Sequence, residues 1–507
     1  HMVHGGIRYL ENGEFRLVRE AVAERNRLIN NAPHQVTPLA TVIPIFRRLS
    51  GILNAPLKFL NLLDRPSERG ALVIKAGLMM YDAYTGADRT VPKHRFNGRE
   101  KSLREFPDLN PAIINTAIYY DGAMPAPERI CIDMLVDTAL MAPGASAINY
   151  LSAVGAEKDE IVLHDEIDGT AYRVKPQLVI NAAGPWIDLT NQAMGRSTHF
   201  MGGTKGSHLV LDHPELLAAI RGNEFFFEND DGRIVLIYPL QNRVLIGTSD
   251  IKITDPDDAR CTEEEIDYFF ALVNRVFPRI DVSRDQIVFR FSGVRPLPSS
   301  EASSTGQISR DHSNRVQEPD QKVAMPVYNL IGGKWTSHRA FAEQVTDRAL
   351  ADLGQHRVLS TREMPFGGGR DYPEGEVAQE SWLLNLQAET ELPMEQLRQL
   401  FNRYGTRAAV IGAFIGAEND EPLRHQPDYS RREIIYLAEH EDVQRLDDLC
   451  LRRTQLGMLG YLTGPLLTEL ADILAGSLNW SAERRQTELD RTLALLADKH
   501  GLHLSLA

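Results

Sequence analysis

The chain has 507 residues, 43% hydrophobic and 24% charged, and a formal net charge of −14 from 55 Lys+Arg against 69 Asp+Glu. An ordinary apolar fraction excludes disorder as the main state, and the length allows roughly two to four domains. The acidic balance argues against a nucleic-acid partner, and no apolar run approaches the ~18–20 residues that span a bilayer. Cys131, Cys261 and Cys450 lie far apart without a CxxC pair, as expected of a reducing, cytoplasmic compartment.

From Glu14 to Asn31 the pattern is helical: Phe15, Val18, Val22 and Ile29 recur at helical spacing, with Arg16, Arg19, Glu20, Glu24 and Arg25 between them. Ala32-Pro33 ends it. Between Ile45 and Leu63 apolar residues again fall on helical positions, broken by Pro44 and Pro56, among Arg47, Arg48 and Lys58. Two readings stay open: a pair of core helices with snorkelling cations, or a segment lying on a membrane surface.

Residues 160–250 read as β-rich. Ile161–Leu163 is a strand, Asp168-Gly169 a hairpin turn, and Leu178-Val179-Ile180 a buried strand ending in Asn181-Ala182-Ala183-Gly184-Pro185-Trp186. Such a strand followed by small residues lets backbone approach a ligand, although an ordinary strand-to-helix turn reads the same way. Further strands are 233–238, 243–248, 287–291 and 328–331. Helices are expected over 262–277, with Thr262 as N-cap, and over 339–353. Gly367-Gly368-Gly369, between prolines, reads as a linker, and helical segments follow it at 377–390, 394–404, 408–414, 430–441, 446–454 and 482–497. There is no HExxH, metal-spaced Cys/His cluster, GxSxG or GxxxxGK[ST], so no metal is expected, and Gly202–His208 lacks the spacing of a phosphate loop.

His4-Gly5-Gly6-Ile7-Arg8-Tyr9-Leu10-Glu11 resembles the HGGxRYLE segment of FAD-dependent, quinone-linked glycerol-3-phosphate dehydrogenases. The similarity continues in order. Val179–Trp186 is similar to that family's VNAAGPW, Lys205–His208 to KGSH, Arg233–Pro239 to RIVFxxP, Ile246–Asp250 to IGTTD, Ser292–Leu297 to SGxRPL and Gly332–Thr336 to GGKLT. Arg403–Thr406 and Leu451–Thr454 resemble two blocks of its C-terminal helical domain. Each block alone is weak; their shared order over nearly the whole chain is specific. Trp335 stands where the family usually has Leu, and Ser337-His338 where it often has Thr-Tyr.

The resemblance implies an α/β architecture: an FAD-binding doubly wound, glutathione-reductase-like domain with an antiparallel β-sheet substrate domain, plus a C-terminal all-α domain. The expected boundaries are 1–355 for the oxidoreductase region, 356–376 for a linker and 377–507 for the helical domain. It implies oxidation of sn-glycerol 3-phosphate to dihydroxyacetone phosphate by hydride transfer to FAD, with electrons passed to a quinone. The alternatives are a related FAD oxidoreductase or oxidase with another substrate or acceptor, and an inactive truncated chain unable to hold FAD. Arg8, Tyr9, Arg233 and Arg295 are the implied substrate and phosphate contacts, since arginine clamps a dianion with paired donors. His4, Gly5, Gly6, Asn181, Ala183, Gly184, Trp186, Gly332, Gly333, Lys334, Trp335 and Thr336 are the implied cofactor contacts. His208 is the candidate base, because imidazole accepts a proton near neutral pH, and Lys334 is its rival; a structural hydrogen bond reads equally well for His208. The residues around 46–65 are the expected contact with an anionic membrane, peripheral to the inner face of the cell membrane. In the family a strand and a GxGxxG turn precede HGGxRYLE. Neither is in this sequence, so the 507 residues alone are expected to hold FAD weakly or not at all, and to be less stable than a version extended by that unit.

Overall fold

The computed structural model describes residues 1–10, 14–47, 71–85, 90–228, 234–299 and 311–506. Its largest layer is a ten-stranded sheet. In space it runs Met2–Val3, Asn115–Ala123, Thr37–Ile45, Glu224–Glu228, Ile234–Leu240, Arg243–Gly247, Thr204–Leu211 and Ile251–Lys252, with Ile287–Arg295 also paired to Thr204–Leu211 and Arg95–Gly98 to Asn115–Ala123. Pairing is antiparallel except where Glu224–Glu228 lies beside Thr37–Ile45.

Strand residues alternate between faces, so the register sorts this sheet into two surfaces. Val42, Phe225, Ile237, Ile246 and Leu209 share one face and form a core with Ile266 and Phe269 of the helix Glu263–Val276. Each such side chain contributes roughly 1.5–3 kcal/mol on burial. The opposite face carries Asp121, Tyr238, Gly247, His208 and Phe291, and this is the face that looks toward the amino-terminal turn. The helix Glu263–Val276 opens as the sequence predicts: Thr262 and Glu265 form a reciprocal capping box.

Beside this layer lies a three-stranded sheet, Ser313–Gln317, Val327–Ile331 and Val179–Asn181, whose last two strands are parallel. It carries the small-residue turns at 182–186 and 332–336. A three-stranded meander, Leu151–Glu157, Glu160–Asp165 and Ala171–Val174, is turned by Gly169 at φ 81°. The C-terminal part is all helix: Glu376–Thr390, Met394–Tyr404, Ala408–Gly416, Arg431–His440, Gly464–Ser477 and Ala482–His500 surround Leu397, Leu400, Ile411, Leu437, Leu467 and Leu474. The helix Gly464–Ser477 is absent from the sequence reading, although Thr463 caps it and Pro465 stands in its first turn.

Three expectations need correction. The helical reading from Ile45 fails at its start, because Ile45 closes the strand Thr37–Ile45, and residues 48–70 lie outside the described part. The strand at 178–180 is not fully buried: Ile180 is 46% exposed, since Val179–Asn181 pairs on one side only among the described residues. The glycine linker is a clasp. Gly367, Gly368 and Gly369 are buried, Gly367 N donates to Asp137 Oδ2 at 2.8 Å, and a Cβ on Gly368 would overlap the Tyr404 carbonyl. The chain needs three glycines there because three helices close on its backbone, at Asp133, Tyr404 and Asn31.

Candidate active site

The amino-terminal turn is held from three directions. His4 N donates to Thr336 Oγ1 at 3.1 Å, and that hydroxyl donates back to His4 O at 3.0 Å. Gly5 N reaches the Tyr81 hydroxyl at 2.9 Å and Asp121 Oδ1 at 3.1 Å. Gly5 has no room for a side chain, because a Cβ would overlap the Tyr81 ring, and Gly6 turns the chain at φ 75°. Asp121 also accepts from the Tyr81 hydroxyl and from Arg25 Nη1, and Arg25 is 0% exposed. Burial drives the Tyr81 phenol well above its usual range, so it stays a donor.

Lys334 lies over this turn, its Nζ 3.8 Å from the centroid of the Tyr9 ring. Tyr9 is buried beneath that ammonium rather than presented to an open space. Gly332 and Gly333 precede it at φ 73° and 98°, and the helix His338–Asp352 follows, its N-terminus turned to the same region. Trp335 stacks on His338 at 5.1 Å and donates its indole N–H to Met124 Sδ, which anchors the ring to the first layer.

The second group sits on the sheet face. His208 lies between Gly247 and Phe291 across the strands, and its ring stacks on Phe291 with centroids 4.9 Å apart and planes 9° from parallel. A Cβ on Gly247 would overlap the imidazole. Nδ1 of His208 is buried with no hydrogen-bond partner among the described residues. Burial, with the positive charges of the chain's amino terminus and Arg295, lowers its pKa to about 3. Burial thus disfavours the protonated imidazole in the free protein. Arg295 ends its strand and donates to Thr248 Oγ1 at 2.8 Å, Ser249 O at 3.0 Å and Asp250 Oδ1 at 3.2 Å. The His1 ring lies 6.0 Å from that of Phe291.

Other sequence candidates have different surroundings. Asn181 is not offered to a ligand: its amide nitrogen donates to Ile187 O at 3.1 Å and Asn191 Oδ1 at 3.0 Å, and it braces Asn329 on the strand leading to Gly332. Ala183 N donates to Asn181 Oδ1 at 3.2 Å, and Gly184 turns at φ 59° with open space where a Cβ would be. Trp186 spends its indole N–H on Asp257 at 3.0 Å and is 40% exposed, so it is a surface clamp and not a wall of the turn. Arg233 and the side chain of Arg8 lie outside the described residues.

Sequence reading missed the Arg25–Asp121–Tyr81 cluster and took Arg25 as one of the charged residues between the apolar ones. The signal was present, since Arg25 falls on the same helical stripe as Val18, Val22 and Ile29. It likewise gave no place to Glu265, which is buried against Lys205 and Ser249.

Comparison with known proteins agrees with this geometry. Residues 1–348 match the family described as FAD dependent oxidoreductase, and residues 359–485 match the C-terminal domain of alpha-glycerophosphate oxidase. A glycerol-3-phosphate dehydrogenase of Synechocystis is 30% identical over 97% of this chain and 87% of its own length. The aerobic glycerol-3-phosphate dehydrogenase of Escherichia coli and the D-erythritol 1-phosphate dehydrogenase of Brucella abortus are each 29% identical over 90% of this chain and 85% of theirs. The solved glycerol-3-phosphate dehydrogenase of Bacillus halodurans, a complex with FAD, superposes with a TM-score of 0.72 at 21% identity, covering 94% of this chain and 84% of that one, and so shares its fold. The chain belongs to the FAD-dependent glycerol-3-phosphate dehydrogenase family.

Proposed function

We propose that this chain oxidises sn-glycerol 3-phosphate to dihydroxyacetone phosphate, with FAD as its cofactor and a quinone as the final electron acceptor. The observation that carries this reading is the placement of Arg295 and His208 on one sheet face, with the Arg295 guanidinium packed against Gly206, two residues from His208. A guanidinium fixed by contacts to Thr248, Ser249 and Asp250 carries the charge and the planar donors that suit a phosphate dianion, and the His208 imidazole stands on the same face.

The residues present fit a flavin. Gly6, Gly332 and Gly333, all at positive φ, bring the His4–Gly6 and Gly332–Thr336 turns together beside the Lys334 ammonium, where backbone donors and a cation would hold the ring's electron-accepting edge. FAD supplies the hydride acceptor for C2 of the substrate. His208 takes the hydroxyl proton: a bound phosphate dianion offsets the Arg295 charge that helps depress the imidazole, so the substrate itself raises the basicity of its acceptor. Lys334 is the second group able to fill that role. Arg8 and Arg233 complete the phosphate contacts, and the basic apolar segment from Phe46 to Arg65 carries the protein to an anionic membrane surface on the cytoplasmic side, where a quinone is within reach. Among the described residues no helix is long and apolar enough to cross a membrane.

Oxidation rates with glycerol 3-phosphate, D-erythritol 1-phosphate and glycerol, using a soluble quinone, test the reading. Glycerol 3-phosphate is expected to give the highest kcat/KM. Equal rates with glycerol would remove the phosphate pocket, preference for the erythritol phosphate would move the substrate to a longer polyol, and one hydrogen peroxide per turnover would make the chain an oxidase. Arg295→Ala is expected to cost roughly 2–4 kcal/mol of transition-state binding, with Lys restoring only part.

A further inference from the structure

We propose that Glu265 is a positioning residue for substrate binding, holding the 248–250 loop in the shape that aims Arg295. This inference rests on the reading of Arg295 as a phosphate ligand. Ser249 is gripped from both faces of the sheet. On the site side its carbonyl accepts from Arg295 Nη2 at 3.0 Å. On the core side its hydroxyl donates to Glu265 Oε1 and accepts from Ser207 N at 2.9 Å. Glu265 is 4% exposed, and its other oxygen takes the Lys205 ammonium at 2.8 Å and Thr262 N at 2.9 Å. Lys205 and Ser207 point toward the helix, while their strand partners Val294 and Ser292 lead directly into Arg295. One carboxylate thus ties the helix N-terminus, the strand Thr204–Leu211 and the loop that supplies the three acceptors Thr248 Oγ1, Ser249 O and Asp250 Oδ1 to Arg295.

A helix cap alone does not need this arrangement. The capping box uses only Thr262 and the Glu265 backbone and carboxylate, and it would be satisfied with Glu265 turned to solvent, as such glutamates commonly are. Here the carboxylate is buried with a lysine and a serine that have no part in the cap. Burial pushes the Glu265 carboxyl up, but the hydrogen bonds from Lys205 and Ser249 outweigh it and hold it below the usual carboxylate range. Loss of the charge frees Ser249 and leaves Lys205 facing a neutral partner, and the loop under Arg295 loses its fixed shape.

The test compares the FAD-loaded full chain with its Glu265→Gln, Ser249→Ala, Thr262→Ala and Arg295→Ala variants, reading KM for glycerol 3-phosphate, kcat and Tm. Glu265→Gln is expected to raise KM about ten-fold or more while kcat changes less than about three-fold, the pattern of lost ground-state positioning. Ser249→Ala should shift KM in the same direction. Thr262→Ala removes the cap and lowers Tm, yet should leave KM unchanged, because the Lys205–Glu265–Ser249 contacts do not pass through its hydroxyl. If Glu265→Gln does not fold, Ser249→Ala decides. A KM that rises equally in Thr262→Ala, or that stays put in both Glu265→Gln and Ser249→Ala while Arg295→Ala raises it, overturns the inference alone. An unchanged KM in Arg295→Ala overturns the phosphate reading and this inference with it.

Discussion

Arg25 and Asp121 form an enclosed ion pair, Nη1 to Oδ1 at 3.0 Å, with side chains 0% and 1% exposed. It joins the helix Phe15–Asn31 to the strand Asn115–Ala123, and Asp121 passes the constraint on to Gly5. The guanidinium is satisfied by Asn26, Tyr81 and Tyr120 O as well, so the charge is paired on every side. Such a pair is not evidence of stability by itself, because both ions lost their hydration. Its removal on one side is a different matter.

Arg25→Met leaves Asp121 buried without a counter-charge and is expected to destabilise the fold by about 3–5 kcal/mol. Asp121→Asn should cost less, since an amide oxygen still accepts from Gly5 N. The double change Arg25→Met with Asp121→Leu should recover part of the loss. Urea midpoints of the three variants check the order, and flavin content per chain reports whether the Gly5–Gly6 turn has kept its shape.

The depressed pKa of His208 has a sign. Between about 6.5, the value for an unperturbed histidine, and about 3, protons bind the unfolded chain more readily than the folded one. His208 therefore contributes a loss of stability as pH falls through that window, at most about 1.4 kcal/mol per pH unit. His208→Asn should flatten the dependence of the urea midpoint on pH between 6 and 4. An equally steep dependence in the variant would mean that the imidazole titrates normally and is open to water.

Much of this architecture could be read before any coordinates. The helix Phe15–Asn31, the capping box at Thr262 and the C-terminal helices follow from periodicity and caps, which are local signals. The blocks at 4–10, 246–250, 292–297 and 332–336 lie at strand ends or tight turns around the candidate site, whereas 403–406 and 451–454 lie in the helical part. What escaped was long-range. Nothing near Asp121 in sequence announces a partner 96 residues earlier, and nothing near Gly367 says that Asp137 and Tyr404 will close on it. Asn181 shows the opposite error: a polar residue in a ligand-like block is spent on bracing its own turn.

The seam with the helical domain carries a second buried network. Arg129 makes a bidentate pair with Glu441, with Nη2 to Oε1 at 2.9 Å, and lies over the Tyr404 ring at 4.8 Å; Arg407 reaches Asp137 at 3.1 Å. Arg129 and Asp137 sit on the helix Pro127–Met141, Arg407 in the turn Gly405–Arg407 after Met394–Tyr404, and Glu441 just after the helix Arg431–His440, so these ions join the first part of the chain to the helical one. Arg129→Met should strand Glu441 and cost about 3–5 kcal/mol at this interface. Calorimetry is expected to resolve the single unfolding transition into two, with the helical domain melting apart from the rest; a single transition at lower temperature would place the damage within one core.

Gly247 and His208 offer the sharpest test of the site. They are cross-strand partners, and the imidazole lies where a Gly247 side chain would be. Phe291 is stacked on the other face of the ring, so the imidazole cannot retreat from a new methyl group without leaving its rotamer. Gly247→Ala should therefore displace the proton acceptor while leaving its chemistry intact. A shift of that kind, on the order of 1 Å, costs about a hundred-fold in rate when the displaced group takes part in the reaction. The overpacking itself should cost only about 1–3 kcal/mol of stability. The expected outcome is a folded protein with kcat reduced about a hundred-fold and KM for glycerol 3-phosphate little changed, because Arg295 stands on the neighbouring strand. If kcat survives Gly247→Ala, the proton goes elsewhere, and Lys334, on the far side of the turn, becomes the residue to replace next.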